Sequence, residues 1–188
     1  MIIVVDFGGQ TCHLIARRVR ELGVSVKIVS NAFVMRSLHK NENVEGIILS
    51  GGPSFVNLPD SPTIDPAVFT LGVPVLGICY GMQLMGKLLG GKVGKGRAKE
   101  FGVVTANLKK SMLFAGATGK QAVLMSHGDQ VLTLPPGFVN LGSSRNVPNA
   151  AMGKDNLLAV QFHPESMLTL DDDCGLRLME NVVGQVAR

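Results

Sequence analysis

The apolar run Val73–Ile78 ends at Cys79, glycines stand two residues to either side at Gly77 and Gly81, and a helical pattern starts at once. Few backbone paths accommodate that order. It describes a strand, a sharp turn with one reactive side chain at its tip, and a helix. Where the chain folds back so tightly the neighbours must be small. A helix N-terminus beneath a thiol also favours its thiolate. The competing reading is a structural cysteine buried at a strand end, since free Cys is among the most buried residue types. On this stretch alone both readings stand.

Alternating strand and helix patterns surround the motif. Ile2–Val5 is a continuous apolar run, as in a strand buried on both faces. Leu14, Ile15, Val19 and Leu22 recur at helical spacing, with Gly23 as the stop and Arg17 and Glu21 four apart on the outer side. Val24–Val29 is a second strand, 33–40 a short helix and Gly46–Leu49 a third strand. The Ser50–Ser54 loop follows. Pro59, Pro62 and Pro66 keep 55–66 irregular before a short helix to about Leu71, and Val73–Ile78 is the fourth strand. This alternation predicts a parallel sheet covered on both faces, with active-site residues at the carboxyl ends of its strands. Beyond residue 91 the pattern changes. Phe101–Leu108, Gln121–Met125, Phe138–Leu141 and Leu157–Phe162 read as strands with little helix between them, hence antiparallel additions. Asp173 is placed to cap a last helix with apolar positions Leu176, Leu178, Met179, Val182, Val183 and Val186. One domain over residues 1–188 is expected, of α/β class.

Composition narrows the function classes. Hydrophobic residues at 46% and charged ones at 17% describe a globular chain rather than a disordered one. Met1–Val5 lacks the basic start of a signal peptide, and no apolar stretch reaches the ~20 residues of a membrane span. Cys12, Cys79 and Cys174 are odd in number and far apart, which fits neither a disulfide framework nor a zinc site and suits a reducing, cytoplasmic setting. The net charge is +4, and basic residues cluster in two places, Arg17, Arg18 and Arg20, and Lys87, Lys92, Lys95, Arg97 and Lys99. With one Tyr and no Trp, nothing supplies the interleaved aromatics on which bases stack, so nucleic acid is not expected as a partner. A solvated face explains the charge, or a surface docking an acidic partner. Asp171-Asp172-Asp173 reads as a capping and loop run rather than a metal site. Gly86–Lys92 imitates a phosphate-binding loop, but Val93 replaces the required Ser or Thr and a helix precedes it, so it reads as a helix end.

A cysteine nucleophile needs a base, and the base needs an orienting group. Among four histidines (His13, His39, His127 and His163) the best context is Val160-Gln161-Phe162-His163-Pro164-Glu165. His163 follows a strand, so it belongs at the sheet edge that carries Cys79. Glu165 is two residues on, able to fix the imidazole tautomer and stabilise the imidazolium. A structural His beside a surface Glu is the bland alternative. His127 is a second candidate base. Acyl transfer also needs backbone N–H groups aimed at the developing oxyanion. Gly51-Gly52 at a strand end offers one, and Tyr80, directly after Cys79, the other.

Together, Gly77–Gly81 with Gln83, the Ser50–Pro53 loop and His163-Pro164-Glu165 resemble the class I glutamine amidotransferases, in order and spacing over nearly the whole chain. The resemblance implies a flavodoxin-like three-layer α/β sandwich with a mixed, mostly parallel central sheet, and a Cys79–His163–Glu165 triad. It implies an oxyanion hole from Gly52 and Tyr80, and glutamine bound by Gln83 and the Ser126, His127 and Gly128 backbone. Within the class, Asp6–Gln10 with His13, Gly77–Gln83, Glu100-Phe101-Gly102 and Met125–Asp129 are similar to the glutaminase part of GMP synthetases. Glu165-Ser166-Met167-Leu168-Thr169 is instead similar to the glutaminase subunits of anthranilate and aminodeoxychorismate synthases. A cysteine hydrolase acting on other amides is a further alternative. What the resemblance implies is a glutaminase that carries no metal or cofactor of its own. It would supply ammonia to a synthetase subunit or fused domain that uses ATP and magnesium to aminate xanthosine monophosphate.

Overall fold

The computed structural model describes residues 1–34, 43–169 and 174–186. The short helix expected over 33–40 lies almost wholly outside them, as do Asp171–Asp173 and the Asp173 cap; Asn31–Phe33 forms a single 3-10 turn. The strands are β1 (Ile2–Asp6), β2 (Val26–Ser30), β3 (Gly46–Leu49), β4 (Val75–Ile78), β5 (Lys92–Leu108), β6 (Gly119–Thr133), β7 (Val139–Ser144), β8 (Ala151–Lys154) and β9 (Leu157–Val160). The helices are α1 (Cys12–Glu21), α2 (Tyr80–Leu88) and α3 (Cys174–Val186), with a 3-10 turn at Pro66–Thr70 where the short helix before Leu71 was expected.

All nine strands form one sheet in the order β2-β1-β3-β4-β9-β8-β7-β5-β6. From β2 to β9 the neighbours are parallel, in the flavodoxin-like order with β9 in fifth place. From β9 to β6 they are antiparallel. The sheet is therefore mixed, as expected, with as many antiparallel as parallel ladders among the described residues.

The pleat sorts the core. Ile2, Val4, Ile48, Leu76 and Ile78 face one side with Ile15 and Val19 of α1 and Leu178, Met179, Val182 and Val183 of α3. Ile3, Val5, Ile47, Leu49 and Val75 face the other with Met82 and Met85 of α2. That is a three-layer α/β sandwich, and it explains why the inner parallel strands read as unbroken apolar runs. Burying Val, Leu and Ile side chains at ~1.5–3 kcal/mol each makes this the main source of stability. Helix α1 ends at Gly23, whose φ of +80° an L side chain resists. Arg17 Nε donates to Glu21 Oε1 at 2.9 Å on the exposed face.

Two expectations change. Strand β5 starts at Lys92, not Phe101, and runs through a register shift between Lys95 and Glu100; β6 extends to Thr133, well past Met125. The irregular composition of 92–100 hid a bulged strand. Strand β8 was not expected at all. It pairs with β9 through a tight turn at Asp155 and Asn156, with Asp155 at φ +51°. Gly90, at φ +92°, closes α2 before Lys92 enters β5, so the Gly86–Lys92 segment is a helix end. Among the described residues no helix is long and apolar enough to cross a membrane.

Candidate active site

Four strand ends meet at the carboxyl edge of the parallel sheet. Strand β1 leads to Phe7–Gly9, β3 to Ser50–Gly52, β4 to Cys79, and β9 to Gln161 and His163. Cys79 caps α2 with φ +51° and ψ −102°, a strained conformation for a residue with a Cβ and worth ~1–3 kcal/mol. The surroundings hold it there. Its N–H donates to Val160 O at 2.8 Å, and Gly81 N–H donates to Ser50 O at 3.1 Å. A Cβ on Gly77 would lie 2.8 Å from Gly81 O, and one on Gly81 only 2.3 Å from Leu49 O. Both flanking glycines are thus required by backbone crossing backbone.

His163 is buried and bonds Glu165 Oε1 through Nδ1 at 2.8 Å, while its side chain also hydrogen-bonds Cys79. With Nδ1 taken by Glu165, Nε2 is left for the sulfur. Burial opposes a charge on this ring, but the hydrogen bonds to Cys79 and Glu165 and the charges of both prevail, and the His163 pKa is pushed up to about 10. Glu165 is fully buried, and among the described residues its Oε2 has no hydrogen-bond partner. Gly51 sits against the imidazole, where an added Cβ would lie 3.0 Å from Cε1. His163 N–H donates to Leu124 O at 2.9 Å, tying the loop after β9 to β6.

A cavity of about 280 Å³ opens over Cys79. Gly52, Tyr80, Gln83, Ser126, His127 and Gly128 all line it, so every residue predicted from sequence for the oxyanion or the substrate reaches one space. Lys99, Phe101, Phe55 and Asp129 also line it and were not predicted. Lys99 arrives there because the β5 bulge re-aims it. Gln83 Nε2 donates to Asp129 O at 2.8 Å and to Gln161 Oε1 at 3.3 Å, which fixes its amide at the cavity floor. Gln161 was also missed. Its Nε2 lies 3.5 Å from Cys79 Sγ, and Ser126 O lies 3.7 Å from the same sulfur. Its place two residues before His163 was the available signal.

His127 has different partners from His163. Its Nδ1 lies 2.9 Å from Asp129 O and its Nε2 3.9 Å from Glu100 Oε2. Desolvation lowers its pKa, against weaker opposing contributions from the Asp129 carbonyl and Glu100. Cys12, the buried thiol at the start of α1, is raised to about 11, first by burial and then by Asp6. Among the described residues no group of three His, Cys, Asp or Glu side chains could hold a metal ion.

The profile of the family described as Glutamine amidotransferase class-I matches residues 3–179. A glutamine-hydrolyzing GMP synthase of Staphylococcus aureus is 45% identical over 188 residues, 99% of this chain and 36% of the relative. The chain thus spans about a third of the length of the curated relatives it matches. A protein of Thermoplasma acidophilum provisionally named as a GMP synthase subunit superposes with a TM-score of 0.81 at 31% identity, covering 99% of this chain and 93% of that one. A glutamine amidotransferase of Thermotoga maritima, at 16% identity and TM-score 0.71, covers 100% of this chain and 98% of its own and shares the fold.

Proposed function

The chain belongs to the class I glutamine amidotransferases, and from that premise we propose that it is the glutaminase component of a GMP synthase. In this reading it hydrolyses L-glutamine to glutamate and passes the ammonia to an ATP- and magnesium-dependent synthetase, as a subunit or a fused domain, that aminates xanthosine monophosphate. The observation that carries the chemistry is Cys79, held at positive φ beneath the cavity, touching an imidazole that Glu165 grips from its other nitrogen. The observation that supports the partner is the 45% identity to a GMP synthase about three times as long as the matched region.

The steps follow from these positions. His163, bound to Glu165 and hydrogen-bonded to Cys79, takes the thiol proton and becomes the imidazolium that its raised pKa favours. The thiolate attacks the side-chain amide carbon of glutamine, and the carbonyl electron pair moves onto oxygen. The N–H groups of Gly52 and Tyr80 receive that oxyanion. His163 gives its proton to the amide nitrogen as the C–N bond breaks, and ammonia leaves. Water then attacks the thioester, His163 takes its proton and returns it to the departing Cys79 sulfur, and glutamate leaves with the thiol restored. Gln83 and the Ser126–Gly128 backbone hold the amino-acid end.

The test is glutamate release from glutamine by the wild-type chain and by Cys79→Ala. Each is assayed with and without a GMP-type synthetase plus ATP, magnesium and xanthosine monophosphate. Cys79-dependent release that rises with those additions supports both chemistry and partner. Release indifferent to them would keep the glutaminase and reopen the chorismate-type partners, and release surviving in Cys79→Ala would overturn the mechanism.

A further inference from the structure

Gln161 is wholly buried, and both ends of its side-chain amide have polar neighbours. Ile78 of β4 is paired with Val160 of β9, which sets the next residues of the two strands, Cys79 and Gln161, side by side. Backbone bonds fix both of them. Cys79 N–H donates to Val160 O at 2.8 Å, and Gln161 N–H donates to Ala150 O at 2.9 Å. The two side chains then meet, with Gln161 Nε2 3.5 Å from Cys79 Sγ.

A carbonyl on another strand decides which end of the Gln161 amide faces the sulfur. The backbone oxygen of Asp129 can only accept, so Gln83, 2.8 Å away, presents its NH2 end there. A second hydrogen of that NH2 reaches Gln161 at 3.3 Å, so Gln161 turns its oxygen to Gln83. Its own NH2 is then left for Cys79. Reversing both amides would set the Gln83 oxygen against the Asp129 oxygen, two acceptors in a buried site. The sulfur gains from this order. Ser126 O, 3.7 Å from Sγ, can only accept, so it serves the thiol and repels the thiolate. His163 hands its proton on when ammonia leaves. The Gln161 N–H is not acidic and stays on the sulfur throughout.

We propose that Gln161 is a further catalytic residue: its amide, aimed by the Asp129 carbonyl through Gln83, donates to the Cys79 sulfur and stabilises it as the attacking thiolate and again as the leaving group. A donor held on a negative acceptor in a dry site is worth more than one in water. The proposal rests on the glutaminase reading only for the identity of the attacked amide.

The test is the pH profile of Cys79 alkylation by iodoacetamide, beside kcat and KM for glutamine, in wild type, Gln161→Met and Gln161→Glu. Alkylation is read by mass spectrometry on the Cys79 peptide, so the buried thiols of Cys12 and Cys174 do not contribute. Gln161→Met keeps the length of the side chain and loses the N–H. It should slow alkylation about 3- to 10-fold near pH 7, because the thiolate becomes scarcer although more nucleophilic. The kcat should fall by a similar factor, with KM within about twofold, because Gln83 keeps its bond to Asp129 O. Gln161→Glu still accepts from Gln83 but sets a carboxylate oxygen against the sulfur. Alkylation should slow further and its profile should move to higher pH. A role in packing alone would leave the alkylation profile in place. A wild-type profile in Gln161→Met, or a Gln161→Glu variant alkylated as fast as wild type, would overturn the proposal. Because Gln161→Met adds no buried charge, it decides the matter even if Gln161→Glu folds poorly. Gln161-dependent alkylation without Cys79-dependent glutamate release would support the sulfur contact and overturn the glutaminase reading instead.

Discussion

Strand β4 delivers Cys79 from a parallel ladder in which every residue is buried, whereas β5 and β6 deliver Lys99 and Ser126–Gly128 from a bulged ribbon that exposes Phe101 and Val103. Both reach the same cavity. In the parallel half, side chains are fixed by packing on both faces and by backbone bonds such as Cys79 N–H to Val160 O. In the ribbon, the backbone ladder is interrupted beside the cavity, between Lys95 and Glu100. The contrast suggests a division of labour. Under the proposed glutaminase reading, the bond-making groups sit in the fully buried half, and the groups that shape the substrate sit on the partly exposed ribbon.

The largest expected effect is on the stiff side. Cys79→Ala should lower glutamate release by a factor on the order of 10³ or more, with the melting midpoint little changed. Glu165→Gln comes next, with a loss on the order of 10²–10⁴ in kcat. In the same variant the His163 imidazolium, read by NMR titration, should lose its proton well below the wild-type value of about 10. An unshifted titration would break the link between Glu165 and His163. Stability should follow the same group. Folding raises the His163 pKa from an ordinary 6.5 to about 10, so its stabilisation is complete below about pH 6.5 and disappears as pH climbs through about 10. Denaturant titrations over that window should show stability falling with pH in the wild type and a flatter profile in Glu165→Gln.

The two halves can be set against each other directly. Gly81→Ala pushes a Cβ into the Leu49 carbonyl and should cost about 3 kcal/mol in a denaturant melt. Phe101→Ser on the ribbon, at 68% exposure, should cost less than about 0.5 kcal/mol. Comparable losses would sink the contrast. The smallest effect belongs to Glu21→Gln, which removes an exposed ion pair with Arg17 and Arg18 and should leave the melting midpoint unchanged within measurement.

The parallel half was legible because β1, β3, β4 and β9 are buried on both faces and appear as apolar runs, each ending in a recognisable loop. Ile2–Val5, Gly46–Leu49 and the Cys79 turn are examples. The ribbon was less legible. Lys92–Lys99 is rich in Gly and Lys and lacks alternation, because its pairing comes from the partner strand rather than from a buried face. Strand β8 is four residues of small and flexible types whose only strong sign is the Asp155-Asn156 turn.

Residue chemistry and local spacing by themselves determined the elbow at Cys79, the pairing of His163 with Glu165 two residues away, and the glycines at 77 and 81. Each depends on neighbours within a few positions, and local order is what a sequence displays. Only the tertiary structure decided that Gln161 reaches the Cys79 sulfur, that Lys99 and Phe101 line the cavity, and that Ser144 donates to the buried Glu100. Those contacts join residues far apart in the chain through a ladder register and a bulge. Register is a property of two strands together, and neither strand encodes it alone.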